Sequence, residues 1–296
     1  MTLQKKRLIL DKVAHNSFYV LSIFACLSLA FFFFILLSKS IPIIQSNNIF
    51  TLLSSSNWKP IENLFGFLPF ILSTFWVTCI AIIIAVPICL FASIYLTEYA
   101  SLKIKNRILP IIDILSGLPS VIFGIWGVLA IVPFVEELAN VFSVKTQGYS
   151  ILAGGIVLSI MVIPLLINIF CEIFRTIPKV YSEATLSLGA TKWETIKKVI
   201  LKKARPGLFA AVLLAFSRAL GETIAVLMVV GNSPELPKNI FSMGYPIPAL
   251  IANNYGEMMS VPMYESALMF AALLLFCIIL FFNCIGRYIL NKLEKQ

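Results

Sequence analysis

Arg218 and Glu222 stand four residues apart inside 208–231, a stretch otherwise apolar enough for lipid. On a continuous helix four residues make about one turn, so the two side chains would share a face. An arginine near the middle of a bilayer is unfavourable by about 2.5–3.5 kcal/mol on insertion scales, so its presence asks for a reason. A guanidinium presents a planar fork of donors that matches the oxygens of a phosphate-like anion. A carboxylate one turn away can neutralise it when no anion is bound. The bland alternative is an ion pair that only holds the helix together. Against it, arginine ahead of glutamate is the weaker order for stabilising a helix. Small residues also recur at Ala211, Ala215, Ala219 and at Ser217, Gly221, Ala225, rows that let helices pack closely. The expected chemistry is recognition of an anion along a path inside a helical bundle, with Arg218 and Glu222 as substrate-path residues.

The elements that must position this pair follow from composition. The chain has 296 residues, of which 59% are hydrophobic and 12% charged, against about a quarter charged in soluble domains. This predicts an all-α, polytopic membrane protein. Apolar stretches long enough to cross a bilayer run over 18–37, 67–96, 109–133, 149–171, 208–231 and 265–286. Lys5, Lys6 and Arg7 ahead of the first of them suggest a signal peptide, but that run is too long for one and reads as a retained helix. The expected organisation is an amino tail over 1–17, a single permease domain over 18–290 with a loop at 172–207, and a carboxyl tail over 291–296.

Lysine and arginine orient the six spans. Four fall in 1–17, three in 97–108, eight in 172–207 and three in 287–296, against Lys39, Lys59, Lys145 and Lys238 on the other side. A bias of 18 to 4 predicts both termini and the 172–207 loop in the cytoplasm. The net charge of +9 is thereby an orientation signal, aided by contact with anionic lipid, and not a nucleic-acid footprint.

The loop Ile177–Gly207 is broken by Pro178, Gly189 and Pro206-Gly207 into two short helical stretches. The second opens with Thr191-Lys192-Trp193-Glu194, a capping-box pattern. Trp193, Ile196 and Ile200 then form an apolar stripe suited to lipid or to a protein surface. Glu183-Ala184-Thr185, three residues, Gly189, nine residues, then Val199-Ile200-Leu201 resembles the EAA loop of ABC-importer permeases. The third residue is Thr185 in place of alanine, and Lys202 stands at the usual proline position. The resemblance implies a type I ABC-importer permease architecture, with Glu183, Ala184, Thr185 and Gly189 coupling the chain to an ATP-hydrolysing subunit.

Leu68–Ala100, Leu115–Leu129 and Ser217–Asn232 further resemble phosphate-specific ABC-importer permeases over most of 68–290. Ile247–Glu257 and the residues after Gly221-Glu222-Thr223 are more similar to the PstC-type member than to its PstA-type partner. What this implies is a bacterial inner-membrane subunit that passes inorganic phosphate and works with two ATP-binding subunits, a second related permease and an extracytoplasmic phosphate-binding protein. Other oxyanions, molybdate or phosphonate, are the neighbouring alternative. An ion-coupled secondary transporter, with Glu222 as proton relay, is the alternative from another class. No glycine-rich P-loop, nucleophile constellation or metal cluster occurs, so the chain is expected to be non-catalytic and to carry no cofactor, ATP being bound by its partners. In Ser116–Gly127 the expectation is a kinked membrane helix, with free amides near the pore as the functional alternative. The six cysteines, none in C-x-x-C spacing, are expected as small core residues, and His15 as a solvated or headgroup-level side chain.

Overall fold

The structure, a computed structural model, describes residues 3–256 and 262–294. Glu257 of the quoted Ile247–Glu257 stretch and the outermost residues of both tails lie outside the described residues.

Helix α1 (Leu3–Ser46) is followed by the short α2 (Ile49–Ser54), whose amino end is capped by the Asn48 side chain accepting from the Phe50 amide at 3.1 Å. Strands β1 (Trp58–Lys59) and β2 (Leu64–Phe65) pair antiparallel with Trp58 opposite Phe65, the one small sheet of an otherwise helical description. Helix α3 (Leu68–Ile94) runs into a π-helical turn at Tyr95–Tyr99. Then come α4 (Leu102–Ser116), α5 (Ser120–Trp126), a π-helical turn at Gly127–Ile131, α6 (Val132–Val141) and α7 (Ile151–Thr176). The loop holds α8 (Val180–Ser187) and α9 (Lys192–Thr195), and a third π-helical turn, Ile196–Ile200, leads into α10 (Leu201–Leu220). The chain closes with α11 (Ile224–Val229), α12 (Ile247–Asn254) and α13 (Pro262–Glu294).

Among the described residues five helical stretches are long and apolar enough to cross a membrane: Asp11–Ser46, Leu68–Tyr99, Ser120–Val141, Ile151–Thr176 and Met263–Lys292. The fifth expected stretch, 208–231, is two helices, α10 and α11, separated by Gly221-Glu222-Thr223. The third expected stretch, 109–133, straddles a break at Gly117-Leu118-Pro119, so its apolar helix starts at Ser120. The break at Gly117-Leu118-Pro119 has a local cause. Pro119 has no amide to donate and restricts the residue before it, whereas past the end of α10 the amides of Gly221 and Glu222 donate only three residues back, to Arg218 and Ala219, before the chain turns away.

The core lies between α3 and α7. Ala81, Ala85 and Cys89 on α3 are fully buried, and a Cβ on Gly155 of α7 would stand 2.5 Å from Ile80 Cγ2 and 3.4 Å from the Val77 carbonyl oxygen, so the two helices pack closely there. The Ala211-Ala215-Ala219 row of α10 is buried into the same cluster, as its spacing predicts. Of the cysteines, Cys89 and Cys171 are buried and the other four are exposed. Position within an apolar run does not separate a bundle-facing from a lipid-facing side, so the core expectation holds for two.

At the end of the bundle away from α8 and α9, a second cluster surrounds Trp58, whose ring meets Phe65, Phe67, Phe70 and Tyr264 at centroid distances of 4.9–6.0 Å. Here α1 is stitched to α13. The Ser266 hydroxyl accepts from the Ile43 amide at 3.1 Å and donates to the Lys39 carbonyl at 2.9 Å, standing where those two groups would otherwise bond each other. Pro42 lies inside that turn. Lys39 Nζ and Glu265 Oε1, 3.1 Å apart, add a partly exposed ion pair beside it.

Candidate functional site

Arg218 lies in the last turn of α10. Gly221 caps that helix by donating to the Arg218 carbonyl at 3.2 Å, and the Glu222 amide donates to Ala219 O at 3.2 Å. The path then leaves the helix, so residues 218 and 222 do not stack one turn apart. The Glu222 carboxylate instead accepts from the Ala225 amide at 3.3 Å, covering one of the orphan donors at the start of α11. Among the described residues no ion pair joins Arg218 to Glu222, and the Arg218 guanidinium has no carboxylate partner. The shared helical face is thereby corrected. Glycine plus an unpaired amide wins over helical continuity, and the acid serves the new helix. Arg218 is exposed in the single chain, and Glu222 is half-buried.

The α4–α5 break lies beside this one. Helices α5 and α11 run the same way and pack closely: a Cβ on Gly124 would stand 3.3 Å from the Ala225 Cα and 2.5 Å from Met228 Sδ. Gly127 meets Val157 and Val229 at 2.6 and 2.8 Å in the same sense. In Ser116–Gly127 the interruption comes from Gly117 and Pro119, while Gly124 and Gly127 provide the close approach.

Polar groups near these breaks went unremarked in the sequence. Ser217 Oγ donates to Asn283 Oδ1 at 3.2 Å, tying α10 to α13 one residue from Arg218. Asn168 Nδ2 donates to Asp113 Oδ1 at 2.8 Å, tying α7 to α4. Asp113, Asn168 and Asn283 are lone polar residues in apolar runs, which is the signal that would have found them, because such groups bond across helices in lipid, whereas Ser217 stands beside Arg218 in a row of small packing residues.

The second candidate site is the loop. Helix α8 ends at Leu188, Gly189 takes φ +84°, and Thr191 caps α9. A Cβ on Gly189 would meet no atom within 4 Å, so the demand there is for a positive φ and not for room. The capping box expected at Thr191 and Glu194 is present. Glu194 N donates to Thr191 Oγ1 at 3.3 Å and Thr191 N to Glu194 Oε2 at 3.0 Å. The backbone bond from Thr191, then Lys198, hold the Glu194 carboxyl below its ordinary range. Thr185, which departs from the EAA pattern, lies 3.1 Å from Thr195 Oγ1 and joins the two arms of the elbow hydroxyl to hydroxyl. Ile196 and Ile200 are buried in the core, whereas Trp193, the first member of the expected stripe, is half exposed. Glu183, Ala184 and Gly189 are exposed, and Val180 and Leu188 beside them are 69% and 87% exposed, an uncovered apolar face on the outside of the elbow. A cavity of about 380 Å³ between the elbow and the bundle is lined by Lys105, Arg175 and Lys179 and by Glu98 and Glu183.

At the far end, 232–256 is not a loose loop. The amides of Ile151 and Leu152 donate to Ser242 and Ile240 carbonyls at 3.0 and 2.9 Å, and Tyr245 and Ile247 amides donate to the Ser73 and Thr74 hydroxyls. Ile247 to Leu250 are buried, so the first half of α12 is packed into the bundle. A cavity of about 610 Å³ with Lys145, Gln147, Glu235, Lys238 and Asn239 on its walls opens beside this segment.

The family model described as "Binding-protein-dependent transport system inner membrane component" matches residues 89–295. The "Probable phosphate transport system permease protein PstC" of Methanocaldococcus jannaschii is 36% identical over 294 residues, covering 94% of this chain and 91% of that protein. The "Phosphate transport system permease protein PstC" of Haemophilus influenzae is 35% identical, with 80% of each chain covered. Among solved structures, the MetNI methionine ABC transporter in an inward-facing conformation aligns with a TM-score of 0.56 at 19% identity, covering 77% of this chain and 94% of that one. That likeness gives the fold, an ABC-importer permease. The chain belongs to the inner-membrane permease components of binding-protein-dependent ABC transport systems, and its relatives there are the PstC permeases of phosphate systems.

Proposed function

We propose that this chain is the PstC-like permease subunit of an ATP-driven importer of inorganic phosphate. The observation that carries the reading is the match to PstC permeases over 94% of the chain. The break at Gly221-Glu222-Thr223 supports it by leaving the Arg218 guanidinium free of any carboxylate among the described residues. In this reading Arg218 receives the oxyanion through charge-assisted hydrogen bonds, the amides at the starts of α5 and α11 face the same irregular layer, and Glu222 keeps α11 seated while discouraging an anion from lingering. The permease itself cleaves nothing. Of two ATP-binding subunits one docks on the elbow at Glu183, Ala184, Thr185 and Gly189, a second related permease completes the path, and an extracytoplasmic phosphate-binding protein lands on the far end beside 232–256. Both termini and the elbow lie in the cytoplasm of a bacterial cell, as the 18 to 4 distribution of Lys and Arg requires.

Labelled-phosphate uptake in cells lacking other phosphate carriers, with co-purification of the complex from native membrane, tests the reading. ATP-dependent phosphate uptake is expected. Preferred uptake of molybdate or phosphonate would replace the substrate, and uptake that follows the proton gradient and ignores ATP would overturn the class. Reporter fusions at residue 198 and at both termini test the orientation, and an extracytoplasmic signal at 198 would overturn it.

A further inference from the structure

The elbow meets the bundle at a point outside the EAA-like residues. Lys192, the first residue of α9, extends its side chain to the end of the α3 extension. Its ammonium lies 4.7 Å from the centroid of the Tyr99 ring and donates to the Glu98 carbonyl. The last carbonyls of a helix have no partner within the helix and carry its negative end, so a cation is favoured there. Lys105, at the start of α4, takes the neighbouring carbonyl of Thr97 at 2.9 Å. Two lysines thus close the same helix end. One belongs to the element that follows α3 directly, and the other to the elbow.

These contacts differ in what they can transmit. Displacement of the elbow reaches α10 through the continuous chain, because Ile196–Ile200 leads straight into Leu201. Among the side-chain bonds described, it reaches α3 through Lys192, and α3 is the helix packed closely against α7 at Gly155. The Thr185–Thr195 contact and the Thr191–Glu194 capping box keep α8 and α9 moving as one piece, so a push on α8 arrives at Lys192.

We infer that Lys192, held on the Tyr99 ring and the Glu98 carbonyl, is a positioning residue that carries elbow motion into the α3–α7 pair. This rests on the reading of the elbow as the ATPase-docking element. Without it, ATPase movement reaches α3 only through the apolar packing of Ile196, Ile200 and α10, and hydrolysis proceeds with less transport.

The experiment uses the whole complex, both permeases with ATPase subunits and binding protein, in proteoliposomes, and reads phosphate moved per ATP hydrolysed. Lys192→Met is expected to keep binding-protein-stimulated hydrolysis within about twofold of the parent and to lower the ratio severalfold. Lys192→Arg, which can still donate and stack, should recover most of the ratio. Tyr99→Phe keeps a ring and should behave as the parent, whereas Tyr99→Leu should resemble Lys192→Met. The double variant Lys192→Met with Tyr99→Leu should be no worse than either single one. An unchanged ratio in both Lys192→Met and Tyr99→Leu overturns the inference, as does a fall of hydrolysis and uptake in proportion, or additive losses in the double variant. Gly189→Val in the same preparation separates the two readings. If it leaves hydrolysis and uptake normal, the docking assignment fails. If it abolishes them while Lys192→Met keeps the ratio, only the Lys192 role fails.

Discussion

Gly117 and Gly221 end the elbow-side halves of two neighbouring helices with the same backbone geometry, φ −91° with ψ −5° at one and φ −91° with ψ −2° at the other. Each donates its amide three residues back, to Ile114 at 3.1 Å and to Arg218 at 3.2 Å. Beyond the breaks, α5 and α11 come together at Gly124 and Ala225. The two interruptions therefore form one irregular layer across the bundle. Non-helical backbone at membrane depth is tolerated where protein buries it or where it lines a water-filled path.

Arg218 sits at the edge of this layer. Arg218→Gln is expected to cut phosphate uptake by about tenfold or more, consistent with losing one charge-assisted contact of about 1.5–3 kcal/mol. Arg218→Lys should fall between, keeping the charge without the fork. Co-purification with the ATPase should stay normal in both. Full uptake by Arg218→Gln would reduce the residue to a structural role.

Glu222 makes a separable prediction. Glu222→Ala removes the acceptor for the Ala225 amide and should destabilise the start of α11 by about 1 kcal/mol. Glu222→Gln keeps an acceptor and loses the charge. Thermal unfolding in detergent should therefore separate Ala from Gln, while labelled-phosphate uptake should fall in both. Equal melting of the two would show that the bond to Ala225 contributes nothing.

Gly189→Val is expected to abolish substrate-stimulated ATP hydrolysis while the permease still inserts, because a β-branched residue at φ +84° is strained. Hydrolysis and uptake are the measurements, and normal values for both would remove the elbow from the coupling path.

Ser266→Ala should lower thermal stability by about 1–3 kcal/mol, since the Lys39 carbonyl and Ile43 amide both lose their bridging hydroxyl. Lys39→Met beside it breaks a partly exposed ion pair and should change stability by less than about 1 kcal/mol. Thermal unfolding of the two variants checks the order, and a larger loss from Lys39→Met would contradict it.

Acidification should loosen the elbow before the bundle. The Glu194 carboxyl is held below its ordinary value of 4.5, first by the Thr191 backbone bond. A depressed carboxyl contributes stability that is fully present above its unfolded value and fades as pH falls through the folded one. The protection of the Thr191 and Thr195 amides, taken relative to the intrinsic exchange rate at each pH, is therefore expected to fall below about pH 4.5 in the parent, and not in Glu194→Gln.

Much of this was legible in short-range pattern. The apolar lengths locate the long helices, the T-x-x-E pattern locates the α9 cap, and the alanine row locates the buried face of α10. These features depend on residues within one or two turns of each other. The break at Gly221 was harder to read, because its flanks are apolar on both sides and nothing local prevents a helix through them. Pairing Arg218 with Glu222 followed from that assumed continuity. Contacts such as Asp113 with Asn168, Ser217 with Asn283, and Ser266 with α1 join distant segments, so no local periodicity records them.

The Ser266 bridge also bears on the order in which the molecule is completed. It joins the first long helix to the last, across 223 residues from Ile43. At a synthesis rate of about 5–20 residues per second, that separation is roughly 10–45 seconds. Through that interval the Lys39 carbonyl and Ile43 amide lack the hydroxyl that later joins them. The first helix made is thus among the last to be finished, and the arrival of α13 is the event that closes it.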